Sequence, residues 1–221
     1  MTWHERIIQF YNNIKLPVLP PGVESLLPFS DEMVAATFNA FYHKFYNDTK
    51  TRRLIIGINP GRFGGGVTGV PFTDPIRLAC DCGIANPFPL RQELSSVFMY
   101  QMIRAFGGPE AFYRQFYITS YSPVGFTKAG KNLNYYDDKD LAADIEPFAV
   151  SCLNKQLEWE ANRDTAFCLG DGKNFQFLTK LNAKHGFFKS IIPLPHPRFI
   201  MQYKLKQKEV YIDRYLQAFC S

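Results

Sequence analysis

The run Arg53-Leu54-Ile55-Ile56-Gly57-Ile58 is almost wholly apolar and stops abruptly at Asn59-Pro60-Gly61. A short apolar run bounded by a Pro-Gly turn predicts a strand buried on both faces. Such strands belong to parallel sheets covered by helices on either side. The rest of the chain fits that frame. Helical spacing of apolar residues predicts helices over Trp3–Lys15 and Asp31–Asn47, separated by the Pro-rich LPVLPPG. Further helices are expected at Pro75–Cys82, with Asp74 as N-cap, and at Arg91–Phe106, Asp138–Trp159, a segment ending at His185-Gly186, and Gln207–Phe219. Strands are expected at Gln115–Ser120, Thr165–Leu169 and Phe188–Pro193. Strands alternating with helices predict an α/β fold with a central four-stranded parallel sheet flanked by helices in three layers. The whole of 1–221 reads as one domain, with 1–50 a helical segment packed on it.

Each predicted strand runs into a loop of Gly, Pro, Asn, Ser or His. In open parallel sheets, ligands bind at the carboxyl ends of the strands. Arg62, Lys128, Lys131, Lys173, Arg198 and Lys204 lie in those same loops. The net charge of +5 is mild, so this placement is the better pointer to a phosphate-bearing partner. No apolar run is long enough to span a bilayer and the N-terminus lacks a signal-peptide pattern, so the expectation is a cytoplasmic monomer with no membrane partner. Five cysteines in such a chain read as small buried hydrophobes. Cys80, Cys82, Cys152 and Cys168 could be taken for an iron–sulfur set. However, Cys80 and Cys82 are spaced too closely for a C-x-x-C start, so no metal or cofactor is expected.

The segment from Gly57 to Phe72, GINPGRFGGGVTGVPF, carries the chemistry. Its glycines fit neither a dinucleotide fingerprint nor a phosphate-cradling Walker loop. They would instead let backbone N–H groups approach a flat ligand, while Phe72 returns an aromatic face to the same mouth. This ungapped pattern resembles the first signature of the single-strand-selective monofunctional uracil-DNA glycosylases, within the wider uracil-DNA glycosylase superfamily. The resemblance implies a compact α/β fold. It also implies excision of uracil from single- or double-stranded DNA; the departures from the family pattern at Ser120 and around His196 point to a divergent, bacterial-type branch.

Residue by residue, the resemblance places Asn59 on the family's water-positioning asparagine and Phe72 on the ring that stacks on the extruded base. The backbone of Gly61 to Gly66 falls on the stretch lining the uracil edge, and Gly57, Pro60, Gly61, Phe63, Gly64 and Gly65 are the candidate base-binding residues of the segment. The second signature is a His-Pro pair, met here at His196-Pro197. The alternative register matches Arg198 to the family's arginine and would put Leu194 where the histidine belongs; a leucine cannot donate to a developing anion. Ser120, before Tyr121-Ser122-Pro123, stands where the family has a base-reading asparagine. A hydroxyl lacks the amide's paired donor and acceptor, so the base range is left open to other deaminated or damaged bases.

Hydrolysis of an N-glycosidic bond needs an extruded base, a held water and a stabilised leaving anion. Asn59 would hold the water and His196 would donate to the base carbonyl. No carboxylate pair and no Schiff-base lysine is evident, which implies base release without strand cleavage. Arg198-Phe199-Ile200 is a candidate wedge for the gap left by the base, and Lys204, Lys206 and Lys208 would meet phosphates or simply form a solvated helix face. Two rivals remain: a non-catalytic binder of damaged or single-stranded DNA, and a hydrolase of free nucleosides.

Overall fold

The computed structural model describes residues 1–27, 29 and 31–220. In chain order, α1 (Trp3–Asn12) opens with a Thr2/Glu5 capping box, and β1 (Val23–Leu26) follows. Next come α2 (Glu32–Tyr46), capped by Asp31, β2 (Arg53–Gly57), a single turn α3 (Gly65–Thr68), and α4 (Pro75–Cys80), capped by Asp74. The middle of the chain holds α5 (Leu94–Ala105), α6 (Pro109–Tyr113), β3 (Phe116–Ser120), β4 (Gly125–Lys128) and β5 (Lys131–Leu133). The last third holds α7 (Lys139–Leu157), β6 (Thr165–Leu169), α8 (Lys173–His185) and β7 (Ser190–Leu194). It closes with α9 (Pro197–Tyr203), a 3-10 turn (Leu205–Gln207) and α10 (Lys208–Cys220).

The expected four-stranded parallel sheet is present, in the order β3-β2-β6-β7. Register places Gly57 beside Ser120 and Leu169 beside Leu194. The carboxyl ends of all four strands therefore finish on one edge. The chain steps from β2 to β3 on one side, while β6 lies on the other. Such a reversal opens a crevice above β2 and β6, the usual place for a ligand in this architecture.

Burial explains why these segments settle here. Leu54, Ile55 and Ile56 in β2 and Ala166 to Leu169 in β6 are fully buried, as strands covered on both faces must be. α2 turns Phe38, Phe41, Tyr42 and Phe45 inward at helical spacing. α1 adds Trp3 and Ile7, and the Trp3 indole donates to the Lys50 carbonyl at 2.9 Å. Beneath it Arg52 is wholly buried. Its guanidinium is forked onto Asp48 at 2.8 and 3.0 Å and also donates to the carbonyls of Tyr113 and Phe45.

Besides the short helices α3 and α6, three features depart from the sequence expectations. A second sheet, β1-β4-β5, is antiparallel, and its β4–β5 hairpin turns at Ala129-Gly130, both with positive φ. Its strands have three or four residues each, too few to show a period in sequence. A second departure is α9, which starts directly after His196 where only a loop was expected. Last, the helix expected over Arg91–Phe106 begins at Leu94, where Glu93 caps it by accepting the Ser96 N–H. Among the described residues no helix is long and apolar enough to cross a membrane.

Candidate active site

A cavity of about 590 Å³ opens above the carboxyl edge of the sheet. Its walls include Asn59, Pro60, Gly61, Phe63, Gly65, Phe72, Ser120, Lys173, His196, Arg198 and Phe199. Eleven residues singled out from sequence, drawn from loops up to 140 positions apart, thus meet at one opening. Such a volume suits a single small planar ligand with room for water.

Asn59 sits at the end of β2, half-buried, with both ends of its amide engaged. Its Nδ2 donates to the Leu133 carbonyl at 3.1 Å, and its Oδ1 accepts the Tyr135 N–H at 3.0 Å. The side chain therefore pins the loop after β5 across the site. A carbonyl oxygen carries two lone pairs, so Oδ1 retains one for a water O–H. Tyr135 is held independently. Its ring stacks on Tyr121 at 4.0 Å and 5°, and its hydroxyl donates to the Asn174 Oδ1 at 2.8 Å.

Phe72 has a left-handed backbone, φ 53°, uncommon for an aromatic residue and costing of order 1–3 kcal/mol. The surrounding turn holds it there. The buried Thr68 hydroxyl donates to the Thr73 carbonyl at 2.7 Å and accepts the Val70 N–H at 3.1 Å. Thr73 in turn pairs with the Tyr100 hydroxyl at 2.9 Å. The Phe72 ring lies over Gly57, where any Cβ would stand 3.3 Å from Cε2. Gly57 is thus a floor under the ring rather than part of the cavity wall.

The glycines of the loop act differently from the sequence expectation. A Cβ at Gly66 would lie 2.0 Å from the Gly61 carbonyl oxygen, and one at Gly65 would lie 2.9 Å from the Val70 oxygen. Gly125 of β4 packs as closely on the Pro60 carbonyl. These small residues let the loop fold upon itself and upon the second sheet. Gly64 is buried against Glu93 and is not part of the cavity wall; Gly61 and Gly65 are.

His196 forms the wall beside Phe72, with ring centroids 5.8 Å apart. It is the N-cap of α9, and its Nδ1 accepts the Arg198 N–H at 3.2 Å. A nitrogen that accepts cannot carry the proton, so the neutral ring bears its proton on Nε2. Burial, with a smaller push from the Arg198 guanidinium, lowers its pKa to about 4. Near neutrality the side chain is therefore an uncharged donor. Ser120, almost buried at the end of β3, also borders the cavity.

The cationic residues divide. Lys173 and Arg198 border the cavity, and Lys173 sits 4.0 Å from Asp137. Arg62 is exposed beside the opening. Lys128 is ion-paired with Asp138 at 3.0 Å on the second sheet, and Lys131 and Lys204 are exposed outside the wall. In the expected wedge, Phe199 is exposed as required, but Ile200 is fully buried. α9 turns that position into the core, and Tyr203, one turn beyond Phe199, takes the exposed place with ring centroids 5.5 Å apart. Asn132, Tyr136, Glu93 and Asp171 also border the cavity and carry no pattern that marks them in sequence.

Cys82 bonds the Tyr100 hydroxyl, Cys152 lies in α7 and Cys168 in β6, all buried, while Cys80 is exposed. Among the described residues no group of three or more His, Cys, Asp and Glu side chains is placed to hold a metal ion.

A sequence model of the Uracil DNA glycosylase superfamily matches residues 43–220. The crystal structure of wild-type SMUG2 from Pedobacter heparinus is similar to this chain at 51% identity with a TM-score of 0.96, covering 99% of this chain and 97% of that one. No curated protein matches the chain.

Proposed function

This chain belongs to the uracil DNA glycosylase superfamily, and from that premise we propose that it hydrolyses the bond between uracil and deoxyribose in DNA, leaving the strand intact. The observation that carries this reading is the meeting of Asn59, Phe72, Ser120 and His196 around one cavity of about 590 Å³. A nucleotide flipped from its stack would place its base against Phe72. The C1′–N1 bond then breaks with its electron pair leaving on the base. Negative charge grows on the O2 carbonyl, where the Nε2–H of His196 is available to donate. Positive charge grows on the sugar, and a water oriented by Asn59 Oδ1 adds to C1′ and passes its proton to solvent water, from which the departing uracil anion takes one. An amide can direct that water but not deprotonate it, which suffices when bond breaking runs ahead of attack.

At the Ser120 position a hydroxyl stands where the family has a carboxamide. Base reading therefore falls to Ser120, to backbone groups and to other amides of the wall such as Asn132, and other deaminated bases are candidate substrates alongside uracil.

The test is an oligonucleotide carrying one uracil, in single- and double-stranded form. Abasic sites that break only on alkali treatment support a glycosylase without lyase activity. Intact, protein-bound DNA would instead mark a binding module, and cleavage of free deoxyuridine alone a nucleoside hydrolase. Asn59→Ala should lower excision roughly 100-fold through loss of the positioned water. DNA binding should fall only a few-fold, because the β4–β5 pairing and the Tyr121–Tyr135 stack still hold the loop. Full excision by Asn59→Ala would refute the assigned role.

A further inference from the structure

Phe63 is the first of the two aromatic residues of the signature segment, and unlike Phe72 it does not lie over the strand end. It stands at the rim of the cavity with 43% of its surface exposed. Two guanidinium groups rest on its ring, that of Arg62 at 5.4 Å and that of Arg91 at 4.9 Å from the centroid. Arg91 comes from the loop before α5, so the pair is assembled by the fold and not by sequence adjacency. Neither guanidinium makes an ion pair or a hydrogen bond among the described residues. Glu93, the nearby carboxylate, forms an ion pair with neither; its oxygens accept from the Ser95 hydroxyl and the Ser96 N–H.

An exposed ring with two guanidinium groups beside it, neither in an ion pair among the described residues, fits one chemical class of ligand. A nucleotide offers a flat base for the ring and a phosphate for the guanidinium. An exposed cation–π contact is weaker than a base–aromatic stack, so a base can displace one guanidinium from the ring and release it to the phosphate. The cavity itself has room for one extruded base against Phe72. A second base at Phe63 must then come from the next nucleotide of the same strand.

Resting on the glycosylase reading above, we infer that Phe63, Arg62 and Arg91 form a subsite for the nucleotide adjacent to the extruded one. In this subsite the neighbouring base stacks on Phe63, and Arg91 binds the intervening phosphate. Such a subsite favours a strand whose neighbouring base is free to leave its own stack, and so favours single-stranded substrate.

The test is a double-mutant cycle on binding. The ligand is a single-stranded oligonucleotide with 2′-fluoro-2′-deoxyuridine, which resists cleavage. In two companion oligonucleotides the neighbouring base, on the 5′ or on the 3′ side, is replaced by an abasic spacer. Wild-type protein should lose roughly tenfold in affinity on one of the two sides, the scale of one base–aromatic stack. Phe63→Ala should lose a similar factor on the intact ligand and then be indifferent to the spacer, while Phe63→Trp should retain the dependence. Arg91→Ala should reduce the slope of log Kd against log salt by about 0.7, the value for one phosphate contact on a single strand. If the spacer weakens wild type and Phe63→Ala equally on both sides, or weakens neither, the subsite is overturned. Excision of uracil by wild type in the same preparation is scored separately. Its failure would sink the glycosylase reading, whereas a missing coupling with excision intact would sink only the subsite.

Discussion

Replacing His196 by Asn separates its observed place as the cap of α9 from its proposed role as donor to the departing base. Nδ1 caps α9 by accepting the Arg198 N–H, while Nε2–H is the donor left for the cavity. Asn is among the best N-caps, and its Oδ1 can take over the bond to the Arg198 N–H. Its shorter side chain carries no donor to the position of Nε2. Stability should therefore stay within about 1 kcal/mol of wild type, whereas His196→Ala should cost about 0.5–2 kcal/mol for the lost cap. Loss of one donor aimed at a developing anion typically lowers kcat by about 10²–10³. Single-turnover excision of uracil from an oligonucleotide should thus slow by that factor in both variants, with the thermal midpoint shifted only in His196→Ala.

The pH dependence provides a second readout. With a pKa of about 4, His196 is neutral across the range from 5 to 8, so the rate should show no inflection near the ordinary histidine value of 6.5. The acid limb should appear as pH falls toward 4, when a proton on Nδ1 opposes the Arg198 N–H. The stability term has the same sign. Below 6.5 the unfolded chain binds a proton that the folded chain refuses, so stability is lost as pH falls from 6.5 toward 4. In His196→Asn that share of the acid sensitivity should vanish. Two results would refute the reasoning: a His196→Asn enzyme with the wild-type rate, or a wild-type inflection near 6.5 that His196→Asn removes.

Two stability predictions follow from the fold. Gly66→Ala puts a Cβ 2.0 Å from the Gly61 carbonyl oxygen, a backbone atom that cannot rotate aside. Overpacking of this kind costs typically about 1–3 kcal/mol, and because Gly61 borders the cavity, excision should fall together with the melting temperature. Asp48→Ala strips the carboxylate from the wholly buried Arg52 guanidinium. Unpairing a buried charge costs about 3–5 kcal/mol, so the midpoint of thermal unfolding should drop by at least 6 °C, at roughly 2–4 °C per kcal/mol for a chain of this size. A variant that melted like wild type would show that the carbonyls of Tyr113, Lys50 and Phe45 and the rings of Trp3 and Tyr46 hold the Arg52 guanidinium without the carboxylate.

The parts of this fold that were legible in sequence are those whose cause is local. β2 announces itself because a strand buried on both faces must be continuously apolar, and Asp31, Asp74 and Asp138 mark helix starts because a side-chain oxygen satisfies N–H groups two or three residues away. Thr165–Leu169 has the predicted bounds. What stayed hidden depends on contacts distant in sequence. The β1-β4-β5 sheet joins residue 23 to residue 128, and three-residue strands carry no period to read. The site divides along the same line. Asn59 and Phe72 stand in a single segment whose pattern is dense enough to single them out, although the pattern says nothing of the Tyr135 N–H that Asn59 also holds. His196 was visible only as a His-Pro pair. Its tautomer follows from α9, a helix whose first turn is Pro197 and whose cap is His196 itself. A donor that stays neutral at working pH is thus produced by two ordinary devices, a helix cap and burial, neither of which a motif can express. The same holds for Arg91, which in sequence is an arginine in a proline-rich loop, and in the fold lies against the ring of Phe63.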